Sequence, residues 1–595
     1  MQQLAVLNKF FYKYRWRFLL GIIFVSLSNY FRVLQPQMIR YALDLVIENI
    51  GLYKLTEGYA SQKVLFAQLG TVLLFFGGLV LILALLMGIF MYFMRQTIIV
   101  MSRLIEYDMR KEIFSHYEKL NLAFYKKNNT GDLMSRITED VSKVRMYVGP
   151  GILYGINLAS LFFFVIYSML SVSPMLTFYC LLPMPFLSIS IYYVSNLINK
   201  KSGIIQKQLA TLNSTAQEVY SGIRVVKSYV QEPAMLRHFG NQSDDYKNKT
   251  MDLAKVNAMF FPLMILLVGA STILTVYVGG VQVAKGTVTP GNIAEFVIYV
   301  SMLTWPITAL GWIASIVQQA AASQSRINEF LEVDPAIKNS VVDPVSLKGD
   351  IEFKNVDFVY PDSGIRAIND LTFKLKAGQK MAIIGKTGSG KTTIADLLLR
   401  MYDVTDGEIL IDGKDIRKHD LANLRKKIGY VPQDLFLFSD TIAGNVAFGK
   451  RSADRATIEE FARYASVYED IVGLPDGFDT MVGERGVTLS GGQKQRISIA
   501  RALIKEPDIV ILDDCLSAVD TTTEQQILGY LNGRLKDKTS LIITHRIYSS
   551  LQFDHIIVID DGHISEQGTH ETLLAKGGYY AQVFEQQQLE EASKS

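Results

Sequence analysis

The chain has 595 residues, a net charge of +3 and a hydrophobic fraction of 49%. Its length exceeds that of a single domain, and its near-neutral charge gives no indication of a nucleic-acid partner. The two cysteines, Cys180 and Cys515, are too few for a disulfide framework or a cysteine-rich metal cluster.

The apolar residues are concentrated in the first half. Residues 64–94, 146–199 and 256–284 contain no Asp, Glu, Lys or Arg. A membrane-spanning helix needs about 20 mostly apolar residues, and six segments meet that requirement. They lie near residues 16–34, 64–94, 149–172, 174–198, 256–283 and 293–317. Residues 1–330 are therefore expected to form an α-helical transmembrane domain with six spans.

The segments that follow the second and fourth spans are long and rich in Lys and Arg. Because positive charge marks the cytosolic side, both termini and the second half of the chain are expected in the cytosol. The chain is thus predicted to be a multi-pass protein of the inner (cytoplasmic) cell membrane, in contact with lipid. Residues 97–119 and 206–220 keep a helical apolar spacing, so these spans are expected to continue as helices beyond the bilayer.

Residues 331–349 contain Pro335 and Pro344 and are expected to be a linker. The alternation of strand-like and helix-like segments over residues 350–585 predicts an α/β domain. Residues 586–595 are polar and are expected to form a mobile tail.

The second domain contains a predicted phosphate-binding loop. A strand-like run, residues 380–384, precedes Gly-Lys-Thr-Gly-Ser-Gly-Lys-Thr, and a helix is predicted over residues 393–401. Strand, G-x-x-x-x-G-K-[ST] and helix form the context in which backbone amides wrap phosphate oxygens. Lys391 is expected to reach the outer phosphates of ATP, and Thr392 to offer its hydroxyl to Mg²⁺. The predicted nucleotide-binding residues of the loop are Gly385, Lys386, Thr387, Gly388, Ser389, Gly390, Lys391, Thr392 and Thr393.

An acidic residue further along the chain supports the prediction of this site. Residues 508–513 form an apolar strand that ends in Asp513. A carboxylate at the end of such a strand, beside a phosphate-binding loop, is expected to hold Mg²⁺ through water.

Between these motifs lies Leu489-Ser490-Gly491-Gly492-Gln493, followed by a predicted helix over residues 494–503. This pentapeptide resembles the signature of ABC ATPases, and the chain is identified as a member of that superfamily. The resemblance implies that the signature binds the γ-phosphate of ATP held by the phosphate-binding loop of a second chain. Two ATPase domains would then clamp two nucleotides head to tail.

Other positions resemble the family in order and spacing. The resemblance implies that Tyr360 stacks on adenine and that Gln433 links Mg²⁺ and the attacking water to the membrane domain. It implies that His545 contacts the γ-phosphate, that residues 517–520 cross between the two ATPase domains, and that residues 482–486 contact the membrane domain.

The first half resembles ABC exporters in residues 124–136 and 221–229, which match the two cytosolic coupling segments. The implied protein is a half-transporter of the type IV ABC exporter fold, which uses ATP for export by alternating access as one subunit of a dimer. An ATP-gated channel or channel regulator on the same scaffold and an importer are the alternatives. A soluble ABC ATPase of DNA maintenance is excluded by the hydrophobic spans.

One residue departs from the family pattern. The position after Asp513, where the family has a Glu that orients water, is Asp514. Asp is shorter by one methylene, and hydrolysis depends on placement within about 1 Å. Asp514, together with His545 and Gln433, is a predicted catalytic residue, but this chain's own site is expected to hydrolyse ATP poorly. The pattern resembles the degenerate-site subunit of heterodimeric bacterial multidrug exporters, so a heterodimer is favoured over a homodimer.

The substrate is expected to be a lipophilic or amphipathic drug, lipid or peptide. Apolar residues of the last two spans are candidates for an adaptable cavity, with helix or lipid contact as the alternative. They are Met259, Phe260, Phe261, Met264, Tyr299, Met302 and Trp305. Glu295, the acidic residue of the last span, is a candidate contact for a cationic substrate.

Overall fold

The computed structural model describes residues 2–55, 58, 60–339, 346–483, 489–516, 521–534, 537–548 and 551–594. The chain divides into two compact units. The helical unit consists of Met1–His116 and Gly131–Val333, and the α/β unit consists of Tyr117–Thr130 and Asp334–Ser595.

The helical unit contains six helical stretches that are long and apolar enough to cross a membrane. They are Arg15–Leu55, Gln62–Tyr117, Thr130–Val172, Pro174–Ser221, Glu232–Ala284 and Pro290–Leu331. Only 6–39% of the most apolar window of each is buried within the chain. Most of this apolar surface is therefore left for lipid or for another protein chain.

The second and fourth spans continue as helices well beyond their apolar runs, as predicted. The continuous helices are Ala60–Tyr117 and Pro183–Ser221. At about 1.5 Å per residue, the first of these is roughly 85 Å long, against a bilayer core of about 30 Å.

Shorter helical segments complete the helical unit. Two π-helical turns, Arg136–Asp140 and Tyr147–Gly151, interrupt the third stretch, and a break at Leu182 precedes Pro183 in the fourth. The remaining segments are Gln2–Leu7, Asn8–Lys13, Thr130–Ser135, Val141–Met146, Ile152–Val172, Pro174–Leu181 and Ile223–Ser228.

A buried polar network joins the first and last long helices. Arg40 contacts Glu295 at 3.0 Å, and the side chain of Glu295 is fully buried. Tyr299 donates its hydroxyl to the other carboxylate oxygen of Glu295 at 2.9 Å, and the Gln37 amide lies 3.4 Å from the same hydroxyl. We call these four residues the Glu295 network. Both oxygens of Glu295 thus have protein partners, which favours a structural role for this carboxylate.

The other cavity candidates differ in exposure. Met259 and Trp305 are exposed, whereas Tyr299 is fully buried and belongs to the network above. Phe260, Met264 and Met302 pack against a buried apolar cluster of the same unit, and the side chain of Phe261 lies outside the description. For Tyr299 the structure agrees with the alternative of helix contact, because its hydroxyl also contacts Val33 and Gln37 on the first long helix.

The α/β unit contains two sheets. The first has the order β2-β1-β4-β5 and the second the order β10-β9-β3-β8-β7-β6. In the second sheet β9, β3, β8, β7 and β6 are parallel. The strands are β1 Ile351–Val359, β2 Arg366–Leu375, β3 Lys380–Gly385, β4 Asp406–Ile411, β5 Lys414–Asp415, β6 Ile428–Val431, β7 Ile509–Asp513, β8 Thr539–Ile543, β9 His555–Asp560 and β10 His563–Gly568.

The central strands β3, β7 and β8 are buried along their whole length, as expected for parallel strands covered on both faces. Helices and short 3₁₀ turns surround the sheets. They are Lys391–Leu398, Ile416–Lys418, Leu421–Lys427, Ile442–Ala447, Arg455–Tyr464, Tyr468–Val472, Gly477–Asp479, Gly491–Leu503, Thr521–Arg534, His570–Lys576 and Tyr579–Lys594.

The C-terminal segment, residues 586–594, belongs to the helix Tyr579–Lys594. The segment is rich in Gln, Glu, Leu and Ala, which have high helix propensity. Its predicted mobility stays a prediction.

One short helix of the α/β unit comes from the first half of the sequence. Leu122–Lys127 lies between the second and third long helices along the chain. Leu122 and Ala123 pack against the apolar core that includes β1 and β2. This helix overlaps the beginning of the predicted coupling segment 124–136, whose later residues belong to the helix Thr130–Ser135 and the π-helical turn Arg136–Asp140.

Candidate nucleotide-binding site

The phosphate-binding loop connects the end of β3 to the helix Lys391–Leu398. At Gly390 the backbone has a φ of +99°, and a Cβ there would overlap the carbonyl oxygen of Ala367. A Cβ at Gly385 would overlap the carbonyl oxygen of Ile559. Only glycine fits these two positions, so their close packing fixes the path of the loop.

Lys391 lies folded along this loop. Its ammonium donates to the carbonyl oxygens of Gly385 at 2.8 Å and Lys386 at 2.6 Å. Burial lowers the pKa of Lys391, and the nearby carboxylates of Asp513 and Asp514 oppose that shift. The ammonium is therefore held next to the loop, where an anionic ligand would replace carbonyl partners with stronger, charged ones.

Asp513 ends β7 at the bottom of the site. Burial raises the pKa of Asp513 to about 6, and a hydrogen bond from Thr392 opposes the rise. Its Oδ2 atom is buried and has no hydrogen-bond partner among the described residues, and the same holds for Oγ of Ser389. A buried carboxylate that has one oxygen without a partner and accepts a hydrogen bond from the Thr392 hydroxyl is an oxygen-donor set that suits Mg²⁺.

Asp514 follows directly in a left-handed backbone conformation, with a φ of +47°. This region is sparsely populated by residues other than glycine, although Asp and Asn occupy it more readily than most. Nδ1 of His545 lies 2.9 Å from a carboxylate oxygen of Asp514. The residue predicted to orient water is thus in contact with the residue predicted to meet the γ-phosphate.

Tyr360, immediately after β1, lies at the other side of the loop. Its hydroxyl is 2.9 Å from Oγ1 of Thr393. Its ring packs edge-on against Phe358, with centroids 4.9 Å apart, and Tyr402 lies at 5.5 Å. An aromatic ring with a fixed orientation is thus presented at the edge of the site.

These groups surround one cavity of about 320 Å³. Eleven of the predicted residues of this chain's own site line it, as do Ile365, Arg366, Ala367, Ile543 and Thr544, which the motifs did not indicate. The eleven are Tyr360, Thr387, Gly388, Gly390, Lys391, Thr392, Thr393, Gln433, Asp513, Asp514 and His545. Lys386 belongs to the loop but does not line the cavity, because its ammonium lies 5.7 Å above the ring of Tyr579.

The signature residues do not take part in this cavity. None of Leu489, Ser490, Gly491, Gly492 and Gln493, all of which the structure describes, lines it. Ser490 caps the helix Gly491–Leu503: its hydroxyl accepts from the Gln493 amide, and the Gln493 side chain accepts from the Ser490 amide. The helix begins three residues earlier than predicted because the two glycines form its first turn.

Two further predictions fall on parts of the chain that the structure leaves out. Residues 517–520, expected to cross between ATPase domains, lie outside the described residues, as do residues 484–486 of the segment 482–486.

The family model for the ABC transporter transmembrane region matches residues 18–307, and the family model described as ABC transporter matches residues 368–517. The chain is 37% identical to the "Probable multidrug resistance ABC transporter ATP-binding/permease protein YheI" of Bacillus subtilis (strain 168), over 98% of both proteins.

The chain belongs to the ABC transporter family. It is also 34% identical to an "ATP-dependent lipid A-core flippase" of Syntrophus aciditrophicus (strain SB), over 81% of this chain and 80% of that protein. Among solved structures, a bacterial Atm1-family ABC exporter with ATP bound aligns with a TM-score of 0.75 and 26% identity, over 98% of this chain and 99% of that chain.

The properties of this family bear on the cavity described above. An ABC transporter binds ATP, couples its hydrolysis to transport, spans the membrane several times and acts as a dimer of such units. The predicted fold class is confirmed: a helical domain with six spans precedes an α/β ATPase domain.

Proposed function

We propose that this chain is one half of an exporter that moves a lipophilic or amphipathic drug, lipid or peptide across the cytoplasmic membrane. Residues 1–330 form its transmembrane domain, residues 331–349 its linker and residues 350–585 its ATPase domain, which faces the cytosol. The proteins it resembles are named for multidrug resistance and for lipid A-core flipping, and both names describe molecules with large apolar parts.

The observation that carries the proposal is the single cavity around the phosphate-binding loop. Its lining brings together the Lys391 ammonium, the Tyr360 ring and three further charged or titratable side chains, which come from separate sequence motifs. These three are Asp513, Asp514 and His545. In the proposed site, Gly385 to Thr393 wrap the phosphates, Lys391 neutralises them, and Tyr360 stacks on adenine.

The oxygen donors of the cavity fit Mg²⁺. Thr392, Asp513 and Gln433 would hold it, because Asp513 has a buried oxygen without a protein partner and Gln433 lines the same cavity. When bound, Mg²⁺ supplies positive charge that neutralises the β- and γ-phosphate oxygens. The protein's own part is to hold the triphosphate chain in place and to keep Lys391 beside it.

The second half of each catalytic site is proposed to come from another chain. The signature residues Ser490 and Gly491 lie outside this chain's cavity, at the start of a helix whose N-terminus favours an anion. They are proposed to meet the γ-phosphate of ATP bound by the partner. Two half-transporters are then needed for two complete sites.

Asp514 is proposed to make this chain's own site the weaker of the two. Its carboxylate is held against His545 at 2.9 Å, on a backbone already in the left-handed region. A side chain that is one methylene shorter than Glu and committed to His545 has little freedom to reach further toward a water. Since the nucleotide contacts remain, ATP is expected to bind there and turn over slowly, with a heterodimeric partner that supplies the competent site.

The direction of transport can be tested in inside-out membrane vesicles that contain the native assembly. ATP should drive accumulation of the dye Hoechst 33342 in the vesicles, and Lys391→Ala should reduce that accumulation. ATP-dependent accumulation in right-side-out vesicles instead would identify an importer. An ATP-dependent ion conductance without dye movement would identify a channel.

The role of Asp514 is tested by ATPase assays of the purified native assembly. Asp514→Ala should lower total ATPase activity by less than about twofold, whereas Asp514→Glu, which restores reach, should raise it. A near-complete loss of activity in Asp514→Ala would show that Asp514 is a working base, and with it the heterodimer proposal would fail. Asp513→Ala is the matched control, because loss of the metal-site carboxylate should also weaken nucleotide binding.

A further inference from the structure

Lys126 lies over the aromatic residues beside the nucleotide cavity. Its ammonium is 4.8 Å from the ring centroid of Tyr360 and 5.4 Å from that of Tyr402. Both distances are within the range of a cation–π interaction. Lys126 stands at the end of the helix Leu122–Lys127, more than 200 residues before the nearest ATPase motif in sequence, and all of these residues belong to the α/β unit.

The helix that carries Lys126 is anchored close to these rings. Leu122 and Ala123 pack against the same apolar core as Tyr360. Tyr125 donates its hydroxyl to the carbonyl oxygen of Tyr117 at 2.6 Å, and Asn128 donates to the carbonyl oxygen of Phe124 at 2.8 Å. Lys126 is thus held by a packed helix rather than by an extended, irregular segment.

The local charges favour a cation at this place. Asp396, on the helix that follows the phosphate-binding loop, is the acidic group nearby: burial raises its pKa, and the charge of Lys126 opposes that rise. The charge of Lys126 also acts on Tyr360, whose pKa is raised chiefly by burial. The ammonium therefore sits among a buried carboxylate and the electron-rich faces of two rings.

We infer that Lys126 is a positioning residue of the nucleotide site, which holds the Tyr360 ring in the orientation that receives adenine. The inference rests on the proposed role of Tyr360 in binding the base. The Thr393 hydroxyl fixes one end of Tyr360 and Phe358 one edge, and Lys126 adds a contact from outside the ATPase sequence. Binding of the base and docking of Leu122–Lys127 are then thermodynamically linked, and each strengthens the other by the same factor.

The size of the effect follows from the exposure of Lys126. A cation–π contact at an exposed site contributes little, so its loss should weaken ATP binding by only about twofold to fivefold. The loss of affinity should depend on the adenine base of the ligand, because Lys126 contacts the Tyr360 ring. Within the described residues Lys126 makes no contact with the phosphate-binding loop. Lys127 is the matched control: it is the adjacent exposed lysine, and no ring contact of Lys127 is present in the described part of the chain.

The test is hydrogen–deuterium exchange of the purified native assembly in EDTA, titrated with ATP or with inorganic tripolyphosphate, which lacks a base. Protection of the phosphate-binding loop, residues 385–393, reports ligand binding to this chain. Protection of residues 118–130 reports docking of the Lys126 helix. The variants are Lys126→Met, Lys126→Arg and Lys127→Met.

In Lys126→Met the half-saturating ATP concentration should rise about twofold to fivefold, while that of tripolyphosphate stays unchanged. ATP should protect residues 118–130 in the wild type but not in Lys126→Met. Lys126→Arg, which keeps a cation over the ring, and Lys127→Met should behave as the wild type.

An equal loss of affinity for ATP and for tripolyphosphate would overturn the inference, because Lys126 would then act on the phosphates or on general stability. Unchanged affinity for both ligands would also overturn it, because Lys126 would then have no effect on binding. An unaltered exchange pattern in the central strands β3 and β7 shows that Lys126→Met is folded. If ATP fails to protect the loop of the wild-type chain, the proposed nucleotide site itself is wrong, and that outcome is separate from the fate of Lys126.

Discussion

The Glu295 network and the phosphate-binding loop are both built from buried polar groups, but they use them differently. In the network, each oxygen of Glu295 has a protein partner, Arg40 on one side and Tyr299 on the other. In the loop, Oδ2 of Asp513 and Oγ of Ser389 are buried without a partner among the described residues. Lys391 has only backbone carbonyls as hydrogen-bond partners there.

This difference separates a structural cluster from a binding site. Burial of a polar atom without a partner costs about 1–3 kcal/mol, and a ligand that reaches such an atom can remove that cost. Oδ2 of Asp513 belongs to a residue that lines the nucleotide cavity, where a ligand could reach it. The Glu295 carboxylate already has partners on two helices, which favours a role in holding these helices together.

The largest effect is expected from a substitution that lies outside this chain's nucleotide cavity but blocks the nucleotide site of the partner chain. Gly491→Glu places a carboxylate where the partner's γ-phosphate is proposed to dock, although a negative charge in the first turn suits the helix itself. ATPase activity of the assembly should be almost completely lost, while ATP still binds to this chain's own loop. Gly491→Ala, which adds only a methyl group, should be much milder. Loss of binding at the chain's own loop, measured by photolabelling with an ATP analogue, would contradict the head-to-tail arrangement.

The Glu295 network should respond in stability rather than in nucleotide binding. Arg40→Met leaves the buried Glu295 carboxylate without its cation, which should lower the free energy of unfolding by about 3–5 kcal/mol. The measurement is the thermal unfolding midpoint of the detergent-solubilised protein, with ATP binding as the second readout.

The double variant Arg40→Met/Glu295→Gln removes both charges and should recover most of the lost stability. A normal unfolding midpoint in Arg40→Met, combined with impaired transport of a cationic dye, would instead support a substrate role for Glu295.

The smallest effect of the three is expected at Lys391. Lys391→Ala removes one charged contact to phosphate, which contributes about 1.5–3 kcal/mol, so ATP affinity should fall roughly tenfold to a hundredfold. Stability should change little, because the ammonium bonds only two carbonyls of its own loop. Lys386→Ala is the control, since its ammonium lies over Tyr579 and away from the cavity. Unfolding of Lys391→Ala, detected by circular dichroism, would contradict the contrast with Arg40.

Eleven residues proposed from sequence motifs line one cavity, and these motifs could be found because each one is local. The phosphate-binding loop needs glycines at fixed spacing, and Gly385 and Gly390 both pack against backbone carbonyls. Asp513 was found because it ends an apolar strand. The contact between Asp514 and His545 joins two motifs 31 residues apart, and neither motif alone indicates it.

Contacts between distant segments had no sequence signal. Arg40 and Glu295 are 255 residues apart, so hydropathy indicates the spans but not the pairing between these two residues. Lys126 was within a predicted coupling segment, yet nothing in its neighbourhood indicates Tyr360.

The capped start of the helix Gly491–Leu503 has a consequence for how two chains meet. In a single chain Ser490 and Gln493 already satisfy each other's backbone amides, so two of the amides at this end of the helix are capped before any ligand arrives. A Ser cap stabilises a helix by about 1 kcal/mol. A contact with the partner's nucleotide that displaces Ser490 from its capping position has to offset this loss of helix stability in each of the two subunits. If the γ-phosphate of the partner's ATP docks here as proposed, it has to replace hydrogen bonds that the isolated chain already makes.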